Sequence, residues 1–421
     1  MTFNSETQNY QEGEKRLVYI IGTYPLLTTT FIDREILQLR QWGVDIQIIS
    51  IRRPPPDVPL SHTQLELQKG VLYLLPVNIF KLMLSHIFFV FTRSRAYLSS
   101  LFYLLTRPHP GFRERMKTLL HFGEGVYAAY MLRGRDFREL HAHFIDRAAT
   151  LALVISRLLG KPYSMSIHAA EDIFVHPILM DEKIVAARHV ATCTLFNKNH
   201  IEALIGRNLD EKVSHIPHGL DIQKYQPNGH GLSGIPTILA VGQLSERKGF
   251  AYLLEACHIL KNSNVIFTCQ IIGKGPQLQS LSDLITRLSL EDCVTLCGAL
   301  PHEEVIERYK KASMFVLPCV QSADGNMDGI PNVLLEAMAM QLPVISTRVS
   351  AIPELIVDSV NGLLVNPEDS GELAEAIQTL IVSPQKAALL GRYGRESVLA
   401  EFDVAPNVWR FATTLWPEWF H

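Results

Sequence analysis

In the segment PCVQSADGNMDGIPNVLLEAMAMQLPVIST, two carboxylates, Asp328 and Glu336, stand eight positions apart around a Gly329-Ile330-Pro331 turn. The pattern reads as a strand, a loop rich in Gly and Asp, a helix through VLLEAMAMQ and a second strand. A turn that delivers the chain into a helix leaves the first amides unpaired at the positive end of the dipole, which makes a seat for a diphosphate. Asp328 at the helix mouth and Glu336 within the first two turns could both accept hydrogen bonds from sugar hydroxyls. As a D-x7-E spacing alone, the pair also reads as an ordinary turn residue and a solvated helix carboxylate.

Other segments offer groups to the same kind of ligand. VGQLSERKGF ends a strand and opens a helix, so Arg247 and Lys248 sit where a phosphate needs cations. A merely solvated basic pair is disfavoured there, because cations oppose the helix dipole. IIGKGPQL places Gly273 and Lys274 after a strand, but Leu278 replaces the last glycine of G-x-G-x-x-G, so a plain tight turn is an equal reading. His168 follows YSMSI at the carboxyl end of a strand, where a cleft residue belongs, with Glu171 and Asp172 just beyond; a structural histidine is the alternative. His141 and His143 alternate on a strand with no third ligand in view, which reads as structural rather than as a zinc site. The motif G-x-x-x-x-G-K-S/T is absent, which rejects a P-loop NTPase.

The elements that must position these groups repeat one grammar. LVYIIG (Leu17 to Gly22), the helical spacing of TTTFIDREILQLRQWG and the strand VDIQIISI open a parallel sheet, with Gly22 where the first loop faces a crevice. ELHAHF, AATLALVISRLLG, PYSMSIH and HVATCTL continue it. The second half restarts with TILAVGQ, FAYLLEACHILK and VIFTCQIIG. The expectation is an α/β chain of two doubly wound, Rossmann-like domains facing one cleft. The boundaries are a disordered leader at 1–16, an N-terminal domain at 17–225 and a Gly- and Pro-rich linker at 226–236. A C-terminal domain at 237–400 then precedes a tail at 401–421 that packs back on the N-terminal domain.

With 421 residues the chain is long enough for two cores, and a net charge of -3 carries none of the cationic excess of a nucleic-acid binder. Its six cysteines form no C-x-x-C pair and read as reduced thiols of a cytosolic protein. The polar, acid-bearing start is unlike a secretory signal, and the most apolar stretch is broken by Pro76, Lys81, His86, Arg93 and Arg95, which argues against a transmembrane helix.

DGIPNVLLE resembles the E-x7-E element of the family 4 retaining glycosyltransferases of the GT-B fold, with Asp328 in place of the first Glu. TYPLLTTTFIDREILQLRQWG is similar to that family's opening loop and HAHFIDRAATLALVISRLLGKPYSMSIHAAEDIF to its N-domain core. These segments look most like the exopolysaccharide, or colanic-acid, type. The resemblance implies that Glu336 binds the ribose hydroxyls and Asp328 faces the transferred sugar. It implies that the turn through Gly329, Ile330, Pro331, Asn332 and Val333 holds the diphosphate or sugar, that Lys248 pairs with the diphosphate and that His168 lies against both. Gly273 and Lys274, with the CGAL turn ending at Leu300, would flank the base, and Gly22 would border the donor. Many relatives carry Arg where this chain has Gln243, and Arg247 is the candidate substitute.

The expected activity is transfer of a hexose from a UDP- or GDP-sugar to a saccharide acceptor, lipid-linked, in surface or exopolysaccharide biosynthesis. The expected catalytic group is His168, Lys248 and Asp328, with no metal and no separate cofactor. A basic, apolar stretch from Val71 to Arg113, holding Lys81, Arg93, Arg95, Arg107 and Arg113 and no acid, could dock on anionic headgroups at the inner face of the cytoplasmic membrane. Core helices with a solvated basic edge are the even alternative. Rival functions are a nucleotide-sugar 2-epimerase of related fold, a nucleotide-sugar-binding protein without transfer activity, and a membrane scaffold that would leave the acid pair unexplained.

Overall fold

The computed structural model describes residues 15–56, 58, 60–168, 171–174, 178–227 and 234–420. Residues 1–14 of the expected leader, 228–233 of the expected linker, His421 and the side chains of Glu171 and Asp172 lie outside the described set.

Two parallel sheets carry the architecture. The first contains β1 (Arg16–Thr23), β2 (Asp45–Arg52), β3 (Val71–Tyr73), β4 (Glu139–His143), β5 (Tyr163–Ile167), β6 (Val190–Thr192) and β7 (Val213–His215), in the order β3-β2-β1-β4-β5-β6-β7. The second contains β8 (Thr237–Val241), β9 (Thr268–Ile272), β10 (Val294–Gly298), β11 (Met314–Leu317), β12 (Val344–Thr347) and β13 (Leu363–Val365), in the order β10-β9-β8-β11-β12-β13. Both orders reverse direction beside the first strand of their sheet, the arrangement of a Rossmann-like unit. The expected pair of doubly wound units is therefore what the chain forms.

Strands covered by helices on both faces are buried through their centres, which is why LVYII, ILAV and MFVL read as continuous apolar runs rather than alternating ones. The crossover helices are punctuated by local chemistry. Helix Arg147–Leu159 starts at Asp146, whose carboxylate accepts the Ala148 amide at 2.9 Å, and stops at Gly160 with φ at 69°.

Two segments pass between the domains side by side. Leu220 donates its amide to Phe402 O at 2.7 Å and Val404 donates to Leu220 O at 3.1 Å. The approach is so close that a Cβ on Gly219 would lie 2.3 Å from Val404 Cα. After the second crossing, helix Val404–Leu415 and the following Trp416 and Trp419 share a core cluster with Tyr19, Ile36 and Leu39 of the first domain. The first domain thus carries the C-terminal aromatic segment on its own face. From the second domain, Glu354 accepts the amides of Leu195 at 2.8 Å and Phe196 at 2.6 Å, at the start of helix Leu195–Ile205.

Candidate active site

In the second sheet the order reverses between β8 and β11, so the loops leaving these two strands border one crevice. The loop after β8 passes through the short turn Glu246–Lys248 into helix Phe250–Asn262. The loop after β11 runs to Pro331 and helix Asn332–Ala339. These loops bring three of the sequence-derived residues together: Lys248 Nζ is 2.9 Å from Asp328 Oδ2, and Arg247 Nε is 3.3 Å from Asp328 Oδ1. Lys248 is buried. Burial alone would lower the pKa of its ammonium, but the charge and hydrogen bond of Asp328 outweigh it and hold Lys248 above its ordinary 10.5.

Close backbone approach fixes this geometry. Gly249 has φ at +67°, and a Cβ there would lie 1.8 Å from Pro318 O at the start of the opposing loop. The Val320 amide donates to Arg247 O at 3.0 Å, lacing the two loops together. Gly273 is equally constrained, since its Cβ would meet Gly242 O at 1.8 Å. Gln243 accepts a 3.3 Å hydrogen bond from Arg247 Nη2, so its amide orients the cation beside it.

The anion seat is built as a helix mouth. Helix Asn332–Ala339 has Pro331 as its N-cap, which supplies no side-chain cap, so the amides of Asn332 and Val333 lie at the positive end of the dipole. Gly329 and Ile330 lead into that mouth from Asp328. Glu336 lies one turn along, buried, with Tyr309 Oη donating to its Oε2 at 3.2 Å and to Val333 O at 3.4 Å. Burial and then the Glu336 charge push the Tyr309 phenol far above its ordinary range, so it is a fixed donor. Tyr225, from the interdomain crossing, is also raised by burial and by Glu336, and its hydroxyl meets His302 Nε2 at 3.0 Å.

The other predicted residues are placed further out or on the first domain. Lys274 follows β9 and is exposed, while Leu300 follows β10 and is half-buried against the core. Gly22 lies near the carboxyl end of β1, at the switch point of the first sheet, and a Cβ there would be 3.7 Å from Asp146 Oδ2. His168 directly follows β5, but both its ring nitrogens meet other histidines: Nε2 is 3.2 Å from His143 Nδ1, and Nδ1 is 2.9 Å from His218 Nε2.

Sequence reasoning did not single out Tyr309, Cys319 or His218. Cys319 Sγ is 4.0 Å from Asp328 Oδ2, and burial pushes its thiol up to about 12, which keeps it neutral beside the ion pair. Its position two residues after β11 was a usable signal. Tyr309, on helix His302–Lys311, had none, because nothing local distinguishes it from a core tyrosine.

Residues 235–383 match the family model described as glycosyl transferases group 1. The chain is 36% identical over 195 residues to the putative colanic acid biosynthesis glycosyltransferase WcaL of Escherichia coli, covering 46% of this chain and 48% of that protein. It is 37% identical over 194 residues to the amylovoran biosynthesis glycosyltransferase AmsK of Erwinia amylovora, with the same coverage. The matches thus span about half the length of these relatives. The crystal structure of Anabaena HepE in complex with UDP superposes with a TM-score of 0.70 at 16% identity, covering 95% of this chain and 99% of that one. Residues 235–383 are thus similar to a glycosyl transferases group 1 domain, and the two-domain architecture is that of the GT-B fold.

Proposed function

We propose that this protein, with its group 1 domain as the donor half, transfers a hexose from a nucleotide-diphosphate sugar to a saccharide acceptor in the cleft between its two domains. The observation that carries the reading is the meeting of Lys248, Arg247 and Asp328 across the switch point, beside an uncapped helix mouth and the buried Glu336. Cleaving the bond from sugar to diphosphate builds negative charge on the leaving group. Preorganised cations and amides aimed at that charge are the largest contribution available to such a site. Lys248, Arg247 and the Asn332 and Val333 amides take this role. Asp328 holds the cations in place until the diphosphate arrives and then faces the sugar, while Glu336 accepts the ribose hydroxyls.

Side-chain cations and a helix terminus neutralise the diphosphate in this scheme, so it needs no metal at the donor. The anomeric configuration is retained, with the leaving diphosphate taking the acceptor proton on the same face. His168, held by His143 and His218 at the carboxyl end of β5, faces the sugar and diphosphate from the first domain in this scheme.

The acceptor is a lipid-linked saccharide in exopolysaccharide assembly, as the names of the colanic acid and amylovoran relatives suggest. A surface feature supports this. Among the described residues no helix is long and apolar enough to cross a membrane. Yet helices Ile79–Thr92, Ser94–Thr106 and Phe112–Leu132 leave Phe80, Phe91, Phe102 and Phe112 between 71% and 83% exposed. Exposed Lys81, Arg93, Arg95, Arg107 and Arg113 lie among them. Large aromatics in water beside basic residues fit an anionic bilayer surface.

The test is product analysis with UDP-, GDP- and ADP-hexoses, with and without a lipid-linked saccharide, in the presence of a chelator. Acceptor-dependent release of one nucleoside diphosphate with an extended saccharide supports the proposal. A changed sugar without acceptor would replace it with an epimerase, and donor binding without turnover would replace it with a binding protein.

A further inference from the structure

A row of polar side chains leads through the interior of the first domain to His168. Tyr19, on β1, donates its hydroxyl at 2.7 Å to Oε1 of Glu35, which lies on helix Thr30–Gln41. The same oxygen faces His143 Nε2 at 3.4 Å. His143 ends β4, and its Nδ1 is 3.2 Å from His168 Nε2, with the two rings parallel to within 9°. His143 is fully buried, and among the described residues its Nε2 has no formed hydrogen bond, so the Glu35 carboxylate is what it faces. At the other end of the row, His168 Nδ1 meets His218 Nε2 at 2.9 Å.

We propose that Glu35, acting through His143, is a positioning residue that sets the His168 ring as a hydrogen-bond acceptor toward the transferred sugar. The inference rests on the reading that His168 faces that sugar. A carboxylate accepts and does not donate, so His143 turns its Nε2–H toward Glu35 rather than a lone pair, which the negative oxygen at 3.4 Å would repel. A neutral imidazole carries one N–H, so His143 Nδ1 is then bare and takes the Nε2–H of His168. That leaves His168 Nδ1 with its lone pair. In the structure it accepts the Nε2–H of His218. His218 is half-buried where His143 is fully buried, so His218 is the partner that a sugar hydroxyl replaces.

The surroundings hold this direction. Burial and then the Glu35 charge push the Tyr19 phenol far above its ordinary range, so Tyr19 stays a donor and keeps Glu35 in place. Burial first, and then the neighbouring histidines, hold His168 well below its ordinary 6.5. Burial and then Arg34 and His143 bring His218 down to about 3. Both rings therefore stay neutral, whereas a protonated His168 would carry N–H on both sides and lose its acceptor. Phe31 and Phe144 pack on the His168 ring with centroids 4.7 and 4.8 Å away, which gives the row apolar walls. In such a setting each hydrogen bond polarises the next, so a carboxylate at the buried end orients the ring at the other.

The test reads the tautomer of His168 in the full chain without donor, labelled with 15N-histidine, by long-range 1H–15N correlation, its signals identified by their loss in His168→Asn. A bare Nδ1 and a protonated Nε2 are expected. In Glu35→Gln, whose amide can offer His143 either its oxygen or its nitrogen, both tautomers are expected in exchange. The same variant should lose about 10-fold in kcat, as for one misdirected hydrogen bond, while its affinity for the sugar-free nucleoside diphosphate stays within about twofold. A merely structural loss would lower both. A protonated Nδ1 in the native chain would overturn the assignment, a readout that stands if the variant fails to fold. An unchanged His168 spectrum or an unchanged kcat in Glu35→Gln would overturn it as well. Because the tautomer is read without donor, a native chain that turns over no nucleotide sugar, which defeats the transfer reading, is told apart from a failed relay.

Discussion

Lys248 and Asp328 are eighty residues apart in sequence and 2.9 Å apart in space, one from each loop at the switch point of the second sheet. The pair is mostly buried, and Arg247 closes on the same carboxylate. Without donor, the residues that would carry the leaving diphosphate and face the sugar neutralise one another. This stores the cations in place at low electrostatic cost and releases them to a diphosphate.

Lys248→Met should therefore act mainly on the chemical step. Removing a positioned group from a leaving-anion site costs about 10²–10³ in kcat. Arg247 still pairs with Asp328, so the stability loss should fall below the ~3–5 kcal/mol typical of breaking a buried pair. Steady-state kinetics with urea unfolding checks both. A variant with native kcat would remove Lys248 from the mechanism.

How far the site was legible follows from which residues share a segment. Asp328, the Gly329-Ile330-Pro331 turn and Glu336 lie within nine consecutive residues, so spacing and helix start signals located them. The strands were legible because burial on both faces makes ILAV or MFVL uniformly apolar. Contacts set by strand order were not. Periodicity says which residues point inward but not that β8 lies beside β11, which brings Lys248 to Asp328. It does not place Tyr309 under Glu336 either, since the two come from different crossover helices. The row from His143 through His168 to His218 likewise exists only because β4, β5, β6 and β7 are neighbours, so reading His141 and His143 as a strand pair alone missed it.

Acid should destabilise the first domain through His121. Burial first, and then Arg147, Lys183, Lys117 and Arg52, lower its pKa from the ordinary 6.5 to about 3. Between those values the unfolded chain binds a proton that the folded one refuses, so stability falls as pH drops below about 6.5. His121→Gln should flatten that limb in melting temperatures taken between pH 7.5 and 4.5. An unchanged slope would mean that other groups set it.

If the three-helix aromatic face meets a bilayer, vesicles containing phosphatidylglycerol should sediment the protein, and neutral vesicles should do so weakly. A Phe80→Ser, Phe91→Ser, Phe102→Ser variant should lose most of this binding while keeping its melting temperature, because each of these side chains is at least 71% exposed. High salt should weaken what remains, as screening shortens the reach of the basic residues. Equal binding by the variant would direct the acceptor search away from lipid carriers.

The central claim, a nucleotide-sugar seat centred on the Asp328 turn and Glu336, is tested most directly by thermal shift without metal. The panel is UDP, GDP, ADP and their hexose conjugates, on the native chain and on Glu336→Ala. A ligand at 100 times its Kd adds about 2.7 kcal/mol to the folded state. The account predicts stabilisation by one nucleotide class, weakened about 10–100-fold in affinity in the variant, as loss of a charged hydrogen bond implies. No stabilisation of the native chain at saturating nucleotide, or equal stabilisation of both proteins, would contradict it.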